Sequence, residues 1–121
     1  MTPNQGAPML DAAKRQQLAG YCRNRNLRNA TFTPENPKDW QPGNVIDADT
    51  GCGFTESKAW NLIADLLESG CPVKTIELDK PAGKLGYVIT KVMPNGKSLY
   101  IKLQLSSKVL GRSFHYSYNE R

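Results

Sequence analysis

Two strand-like segments joined by a tight turn are the feature that most constrains the fold of this chain. LGYVITKV, residues 85–92, is rich in β-branched and aromatic residues. SLYIKLQL, residues 98–105, alternates apolar and polar side chains along its length. Between them, the sequence PNG at residues 94–96 tolerates the positive φ that a tight turn requires. The pattern predicts an antiparallel hairpin with one apolar face.

Further strands are predicted on both sides of this hairpin. Residues 73–78 have strand character and are followed by the turn sequence KPAGK, and residues 109–118, VLGRSFHYSY, follow the short turn SSK. Alternation in the last strand predicts two opposite rows, with Leu110, Phe114 and Tyr116 facing a helix and Ser113, His115 and Ser117 facing solvent.

Two helices are predicted before these strands. Thr55 can cap a helix with Glu56 in its first turn, and Gly70 and Pro72 end it. Its apolar residues recur at helical spacing: Trp60, Ile63, Ala64 and Leu67. A weaker pattern predicts a helix from Asp11 to about Asn26, with an apolar side formed by Leu10, Leu18, Tyr21 and Cys22.

The segment between the two helices, residues 31–44, is predicted to be an irregular connector. Pro34, Pro37 and Pro42 remove backbone donors there, and Gly43 favours a turn. Trp40 lies inside this segment and is expected to anchor it to the core.

The order of elements predicts a single α+β domain over residues 1–121, since 121 residues is an ordinary length for one domain. We expect N-terminal helices packed on a four-stranded antiparallel sheet. Residues 1–50 would form the first helix and the proline-rich connector. Residues 54–121 would form the second helix and the sheet that carries the site.

The basic residues are distributed unevenly along the chain. The net charge is +5, and residues 80–119 contain seven Lys or Arg and no Asp or Glu. Residues 12–34 contain five bases and no acid, whereas residues 35–79 contain nine acids and three bases. Ordinary surfaces intersperse the two signs, so this distribution favours a polyanionic partner such as nucleic acid.

Several classes of protein are disfavoured by the same sequence. No apolar run approaches the roughly 20 residues of a membrane span, and the N-terminus lacks the pattern of a signal peptide. We therefore expect a cytoplasmic protein with no membrane partner. Three widely spaced cysteines and one histidine argue against structural zinc and a disulfide framework, and no cofactor is predicted.

A set of polar side chains is predicted to share the solvent face of the last two strands. If these strands pair, Tyr100, Lys102 and Gln104 lie beside Ser113 and His115. Arg112 is close by, although Gly111 can mark a bulge that changes its direction. We predict RNA-binding roles for Gln104 and Ser113, together with Lys84, Lys91 and Tyr118.

This set fits RNA cleavage without a metal, in which the 2′-hydroxyl attacks the adjacent phosphate. His115 could act as the acid or base because histidine titrates near neutral pH. Lys102 and Arg112 would stabilise the charge that develops on the phosphate, and Tyr100 could stack on a base or hydrogen-bond a phosphate oxygen. These four are the predicted catalytic residues.

Four segments carry a family resemblance: FTESKAWNLI (54–63), KTIELD (74–79), SLYIKLQL (98–105) and VLGRSFHYSYNE (109–120). They resemble the toxins of the motility quorum-sensing regulator (MqsR) family, within the RelE-like messenger-RNA interferases. That family has a Y-[IL]-K strand core, matched by Tyr100, Ile101 and Lys102. Its terminal strand, roughly S-F-K-E, is matched by Ser113, Phe114 and His115.

The resemblance implies a metal-independent endoribonuclease that cleaves mRNA and is inhibited by a cognate antitoxin. The family tyrosine falls on Tyr100, and the basic residue of the terminal strand falls on His115. The resemblance also implies a RelE/barnase-like fold. The family's lysine at the end of the helix has no match near Trp60 and Asn61, and KTIELD lacks the family's glutamine. Either Lys74, Lys80, Lys84 or Gln104 substitutes for them, or the activity is altered or lost. The substrate would be mRNA, either free or on the ribosome.

Two other kinds of function fit the same sequence. The first is a non-catalytic RNA- or ribosome-binding module that uses Tyr100 as a stacking platform. The second is a small phage-type inhibitor protein whose positive face binds an acidic partner. Loss of cleavage with retained RNA affinity in His115→Ala would distinguish the nuclease from the first, and capture of a protein without RNA would indicate the second.

Overall fold

The helices and strands of the protein form an α+β fold, as the sequence predicts. The computed structural model describes residues 11–30, 39–78, 85–105 and 107–117. In chain order the elements are α1 (Ala12–Arg23), β1 (Arg28–Ala30), β2 (Ile46–Asp47), β3 (Cys52–Gly53), α2 (Glu56–Glu68), β4 (Lys74–Glu77), β5 (Leu85–Val92), β6 (Ser98–Leu105) and β7 (Val109–Tyr116).

The sheet differs from the predicted four-stranded antiparallel one. In the described part of the chain it has five strands in the order β1-β7-β6-β5-β4, and β1 runs parallel to β7 while the other neighbours are antiparallel. Strands β2 and β3 form a separate two-stranded sheet. The helices are also not both N-terminal to the strands, because α2 follows β3. The sequence Arg28–Ala30 has no apolar alternation, so β1 is defined by its pairing with β7 alone.

The central hairpin confirms the prediction from the sequence. Strands β5 and β6 have the predicted bounds, and the turn between them contains Gly96 at φ 85°. The Asn95 side chain accepts a hydrogen bond from the Lys97 amide at 3.0 Å, which closes the turn. The predicted turn KPAGK, residues 80–84, lies outside the described residues, as does Ser106 in the next turn.

Helix α2 begins at the cap residue that the sequence indicates, and α1 begins directly after Asp11, where its pattern starts. The Asp11 carboxylate accepts from the Lys14 amide at 2.7 Å, and the Thr55 hydroxyl accepts from the Lys58 amide at 3.2 Å. Helix α2 buries the predicted apolar stripe, and α1 packs against it through Leu18 and Cys22. The two helices cover one face of the sheet, where the apolar rows of β5, β6 and β7 complete the core.

Trp40 anchors its segment to the core, as predicted, with 6% of its surface exposed. Its ring contacts Trp60 and Phe114 at centroid distances of 4.9 and 5.6 Å. The segment also pairs with β7, because Phe114 donates to the Asp39 carbonyl and accepts from the Gln41 amide. Residues 31–38 of the predicted connector lie outside the described residues.

A β-bulge in β7 changes which side chains face the core. Lys102 lies opposite Ser113 and Leu103 lies opposite Gly111, so Arg112 is the extra residue. The alternation therefore shifts, and Leu110 lies opposite Gln104, on the face away from the helices. The prediction that Leu110 faces a helix was wrong for this reason.

Ion pairs join the two helices on their exposed sides. The Arg23 guanidinium of α1 lies 2.7 Å from carboxylate oxygens of both Asp65 and Glu68 in α2. The hydrogen bond from Arg23 lowers the pKa of Glu68 below its ordinary value. A carboxyl whose pKa is lower in the folded state stabilises the fold above its unfolded pKa and loses that effect as the pH falls.

We expect Arg23→Gln to reduce the acid sensitivity of the fold. In the native protein, the contribution of Glu68 is lost as the pH falls from its unfolded pKa, about 4.3, through its depressed folded pKa. Urea unfolding at pH 7, 4.5 and 3 would show a smaller fall in unfolding free energy for the variant. Part of the pH dependence should remain in the variant, because the Asp49 amide also lowers the pKa of Asp47. Arg25→Gln removes the same charge from an exposed position and should behave like the native protein. If the unfolding free energy falls equally with pH in the native protein and in both variants, the prediction is contradicted.

Candidate nucleic-acid interface

The predicted site residues of the last two strands share the sheet face opposite the helices. We call the following set the outer face: Tyr100, Lys102 and Gln104 of β6, and Arg112, Ser113 and His115 of β7. Cross-strand register places Tyr100 opposite His115 and Lys102 opposite Ser113. Because opposite residues in an antiparallel pair point to the same side, the structure brings these six predicted residues together.

The rings of Tyr100 and His115 lie beside each other on the outer face. Their centroids are 5.5 Å apart and the ring planes are inclined by 31°. Burial, together with the negative charge of Asp39, raises the pKa of the Tyr100 phenol. The phenol therefore stays protonated at neutral pH and keeps its hydrogen-bond donor.

His115 is held in a defined orientation by the backbone. Its Nδ1 lies 2.7 Å from the carbonyl oxygen of Tyr116. Because a carbonyl can only accept, Nδ1 carries the proton, and Nε2 is the basic nitrogen of the neutral ring. The imidazole faces away from the helices and lies next to the Tyr100 ring, so it has the placement that acid–base chemistry at this face would require.

The outer face is less open than the alternating pattern predicted. His115 has 7% of its surface exposed, Ser113 3% and Gln104 6%, so the expectation that this polar row faces solvent was wrong for these three residues. Tyr100, Lys102 and Arg112 are half-buried. Alternation along a strand distinguishes the two faces of a sheet, but it does not show what covers each face.

Arg112 points along β6, away from the tyrosine–histidine pair. Its Nη1 donates to the Gln104 side-chain oxygen at 2.9 Å. Its Nε is buried, and none of the described residues accepts a hydrogen bond from it. The bulge that the sequence suggested at Gly111 therefore sets both the position and the direction of this side chain.

The other predicted RNA-binding residues are not part of this set. Lys91 lies opposite Leu99, on the helix side of the sheet, where it lines a cavity of about 390 Å³ with Asp47 and Lys58. Lys84 and Tyr118 lie outside the described residues. Lys74 adds a basic residue on the same side of the sheet, because it lies in the same cross-strand row as Val88 and Lys102. The sequence had suggested it only as a substitute for a residue of the resembled family.

Asp39 is a neighbour of the outer face that sequence reasoning missed. Trp40 pairs with Phe114 and shares its core side, so Asp39, the residue before it, lies on the opposite side of the sheet. The charge of Asp39 acts on Tyr100 and contributes to the rise in its pKa. No local signal in the sequence indicates this contact, because the pairing joins segments that are far apart in the chain.

The described residues contain no group of three or more His, Cys, Asp or Glu side chains that could hold a metal ion. All three cysteines are free thiols, and burial raises the pKa of Cys22 to about 12. Among the described helices, neither is long and apolar enough to cross a membrane.

Comparisons with known proteins leave the site to be interpreted from its geometry. No protein-family model, no curated protein and no solved structure matches the chain. The residues of the outer face and the charge of the chain are therefore the observations on which a functional proposal rests.

Proposed function

We propose that the protein is an RNA-cleaving toxin of a toxin–antitoxin system and that the outer face binds and cuts single-stranded mRNA without a metal. The observation that carries the proposal is the direct pairing of Tyr100 with His115, 5.5 Å apart, with Lys102 in the next cross-strand row. The net charge of +5 and the acid-free tract around these residues support a phosphate-bearing partner.

In this mechanism His115 takes the proton of the 2′-hydroxyl through Nε2, since Nδ1 is engaged with the Tyr116 carbonyl. The 2′-oxygen forms a bond to phosphorus, and the bond from phosphorus to the 5′-oxygen breaks. Tyr100, which burial keeps protonated at neutral pH, donates its phenolic proton to the leaving 5′-oxygen. Lys102 stabilises the negative charge on the non-bridging oxygens. The products are a 2′,3′-cyclic phosphate and a 5′-hydroxyl.

The same charge distribution supports a proteinaceous antitoxin as the second partner. A segment rich in Asp and Glu would bind a basic face and block access of RNA to it. Such a toxin acts on mRNA in the cytoplasm, and its substrate would be free or ribosome-bound transcripts.

A second candidate function is a non-catalytic RNA-binding module. The burial of His115, with 7% of its surface exposed, favours it, because a buried imidazole reaches a substrate less readily than an open one. In this case Tyr100 would stack on a base and Lys102 would contact a phosphate, with no bond broken.

Incubation of the purified protein with a long RNA in EDTA, followed by mapping of the new ends, tests the proposal. We expect cleavage that leaves 2′,3′-cyclic phosphates, and no cleavage of an oligonucleotide that carries a 2′-deoxy group at the mapped position. Bound but intact RNA would favour the binding module. Neither binding nor cleavage, with capture of an acidic protein, would instead indicate the inhibitor protein.

A further inference from the structure

One edge of the Arg112 guanidinium, formed by Nε and Nη2, makes no hydrogen bond to any of the described residues. An arginine presents two edges for paired hydrogen bonds, and Gln104 accepts from Nη1, which lies outside the Nε–Nη2 edge. Nε on that edge is buried, with no acceptor among the described residues. A buried donor without an acceptor is unfavourable, and the Nε–Nη2 edge matches two oxygens of a phosphate.

This guanidinium is too far from the tyrosine–histidine pair to contact the same phosphate. Gln104, whose side chain accepts a hydrogen bond from it, is four residues from Tyr100 along β6, and a strand rises about 3.3 Å per residue, so the Cα atoms of Gln104 and Tyr100 are about 13 Å apart. Hydrogen bonds to phosphate oxygens reach only about 3 Å. Arg112 and His115 therefore act on different groups of a ligand that extends along the strand.

We propose that Arg112 forms a separate subsite for a phosphodiester that flanks the one held at Tyr100 and His115. This inference rests on the proposed binding of RNA at the outer face, and it gives Arg112 a role in binding in place of the charge-stabilising role expected from the sequence. The ligand is then an extended oligonucleotide with several phosphates, whereas a dinucleotide would leave the Arg112 subsite empty.

The β-bulge is what builds this subsite. Without the extra residue, strict alternation would place the side chains at 111 and 113 on one face and the side chain at 112 on the other. The bulge keeps Ser113 opposite Lys102 and still directs the Arg112 side chain toward Gln104 on the outer face. A positive group is thus added to the face without displacing the polar row.

The test uses 2′-O-methyl oligonucleotides, which lack the attacking hydroxyl and bind without being cut. A dinucleotide with one phosphodiester and a pentanucleotide with four are titrated against the native protein and variants. For the native protein we expect the pentanucleotide to bind at least about tenfold more tightly, because a charged hydrogen bond contributes at least that much. Arg112→Gln should lose this difference and leave dinucleotide affinity nearly unchanged.

Arg112→Lys, which keeps the charge but has no planar fork, should lose most of the difference as well. Arg25→Gln, which removes one positive charge from an exposed position in the turn after α1, is the matched control and should retain it. The slope of log affinity against log salt for the pentanucleotide should fall by about 0.7 in Arg112→Gln. Unfolding curves establish that each variant is folded, and Arg112→Lys provides the test if Arg112→Gln is not.

Equal weakening of both oligonucleotides in Arg112→Gln would overturn the inference, because it would place Arg112 at the reacting phosphate. Unchanged affinity for both would overturn it too. These titrations measure binding alone, because the oligonucleotides cannot be cleaved, so their results do not depend on whether the protein is a nuclease. A native protein that shows the length dependence but never cuts RNA would support the subsite and contradict the nuclease.

Discussion

Replacement of His115 by alanine is expected to slow RNA cleavage by about 10²–10⁴-fold, the usual contribution of a positioned acid or base. In the proposed mechanism the imidazole takes the proton of the 2′-hydroxyl, and its Nδ1 is fixed by the Tyr116 carbonyl. RNA affinity should change little, because Lys102 and Arg112 carry the charges that contact phosphates. Single-turnover cleavage at saturating protein measures the first effect, and titration with a 2′-O-methyl RNA measures the second.

Two further variants make the His115 result specific. Tyr100→Phe keeps the ring beside the imidazole but removes the phenolic proton, so it should slow cleavage while preserving most of the affinity. Thr90→Ala is the matched control, because Thr90 is exposed on the same face and lies opposite Tyr100. A His115→Ala preparation that cuts RNA at the native rate would exclude this histidine as the catalytic group.

Gly111→Ala is expected to destabilise the fold by about 1–3 kcal/mol, the usual effect of overpacking a core. A Cβ added at Gly111 would lie 2.4 Å from the six-membered ring of Trp40, closer than carbon atoms can approach. Either the indole must leave its contacts with Trp60 and Phe114, or β7 must move. Urea unfolding monitored by circular dichroism measures the change.

A double-mutant cycle with Trp40→Phe identifies the cause. The smaller ring lacks the atoms that meet the added Cβ, so Gly111→Ala should be less destabilising in that background than in the native protein. Gly20→Ala is the control for the substitution itself, since its added Cβ meets no atom within 4 Å. In the exposed interior of α1 it should stabilise the fold by up to about 1 kcal/mol. An equal loss in both backgrounds at Gly111 would show that the Trp40 contact is not responsible.

Local patterns were sufficient to predict the longest elements. The bounds of β5 and β6 and the cap of α2 follow from alternation, turn residues and a capping side chain. The short strands could not be predicted, because Arg28–Ala30 becomes a strand only through its pairing with a segment some 80 residues away. The two-residue strands β2 and β3 are equally dependent on their contacts.

The candidate site was predictable to a similar degree. Alternation in β6 and β7, together with the predicted pairing of these two strands, places Tyr100, Lys102 and His115 on one face, and the structure confirms that placement. A strict period of two predicted that Leu110 faces the core. The bulge instead places it on the same side of the sheet as the outer face. Burial of His115 and the nearness of Asp39 depend on how distant segments pack, which a strand pattern does not contain.

The two tryptophans that share the Glu56 carboxylate give the protein an intrinsic fluorescent probe. Trp40 and Trp60, the two tryptophans of the chain, donate their indole N–H groups to Glu56 at distances of 2.9–3.2 Å. Trp40 is also the residue that docks beside β7, one position from Asp39. Emission from these paired indoles therefore reports whether the 39–41 segment is seated against the strand that carries the imidazole, without any attached label.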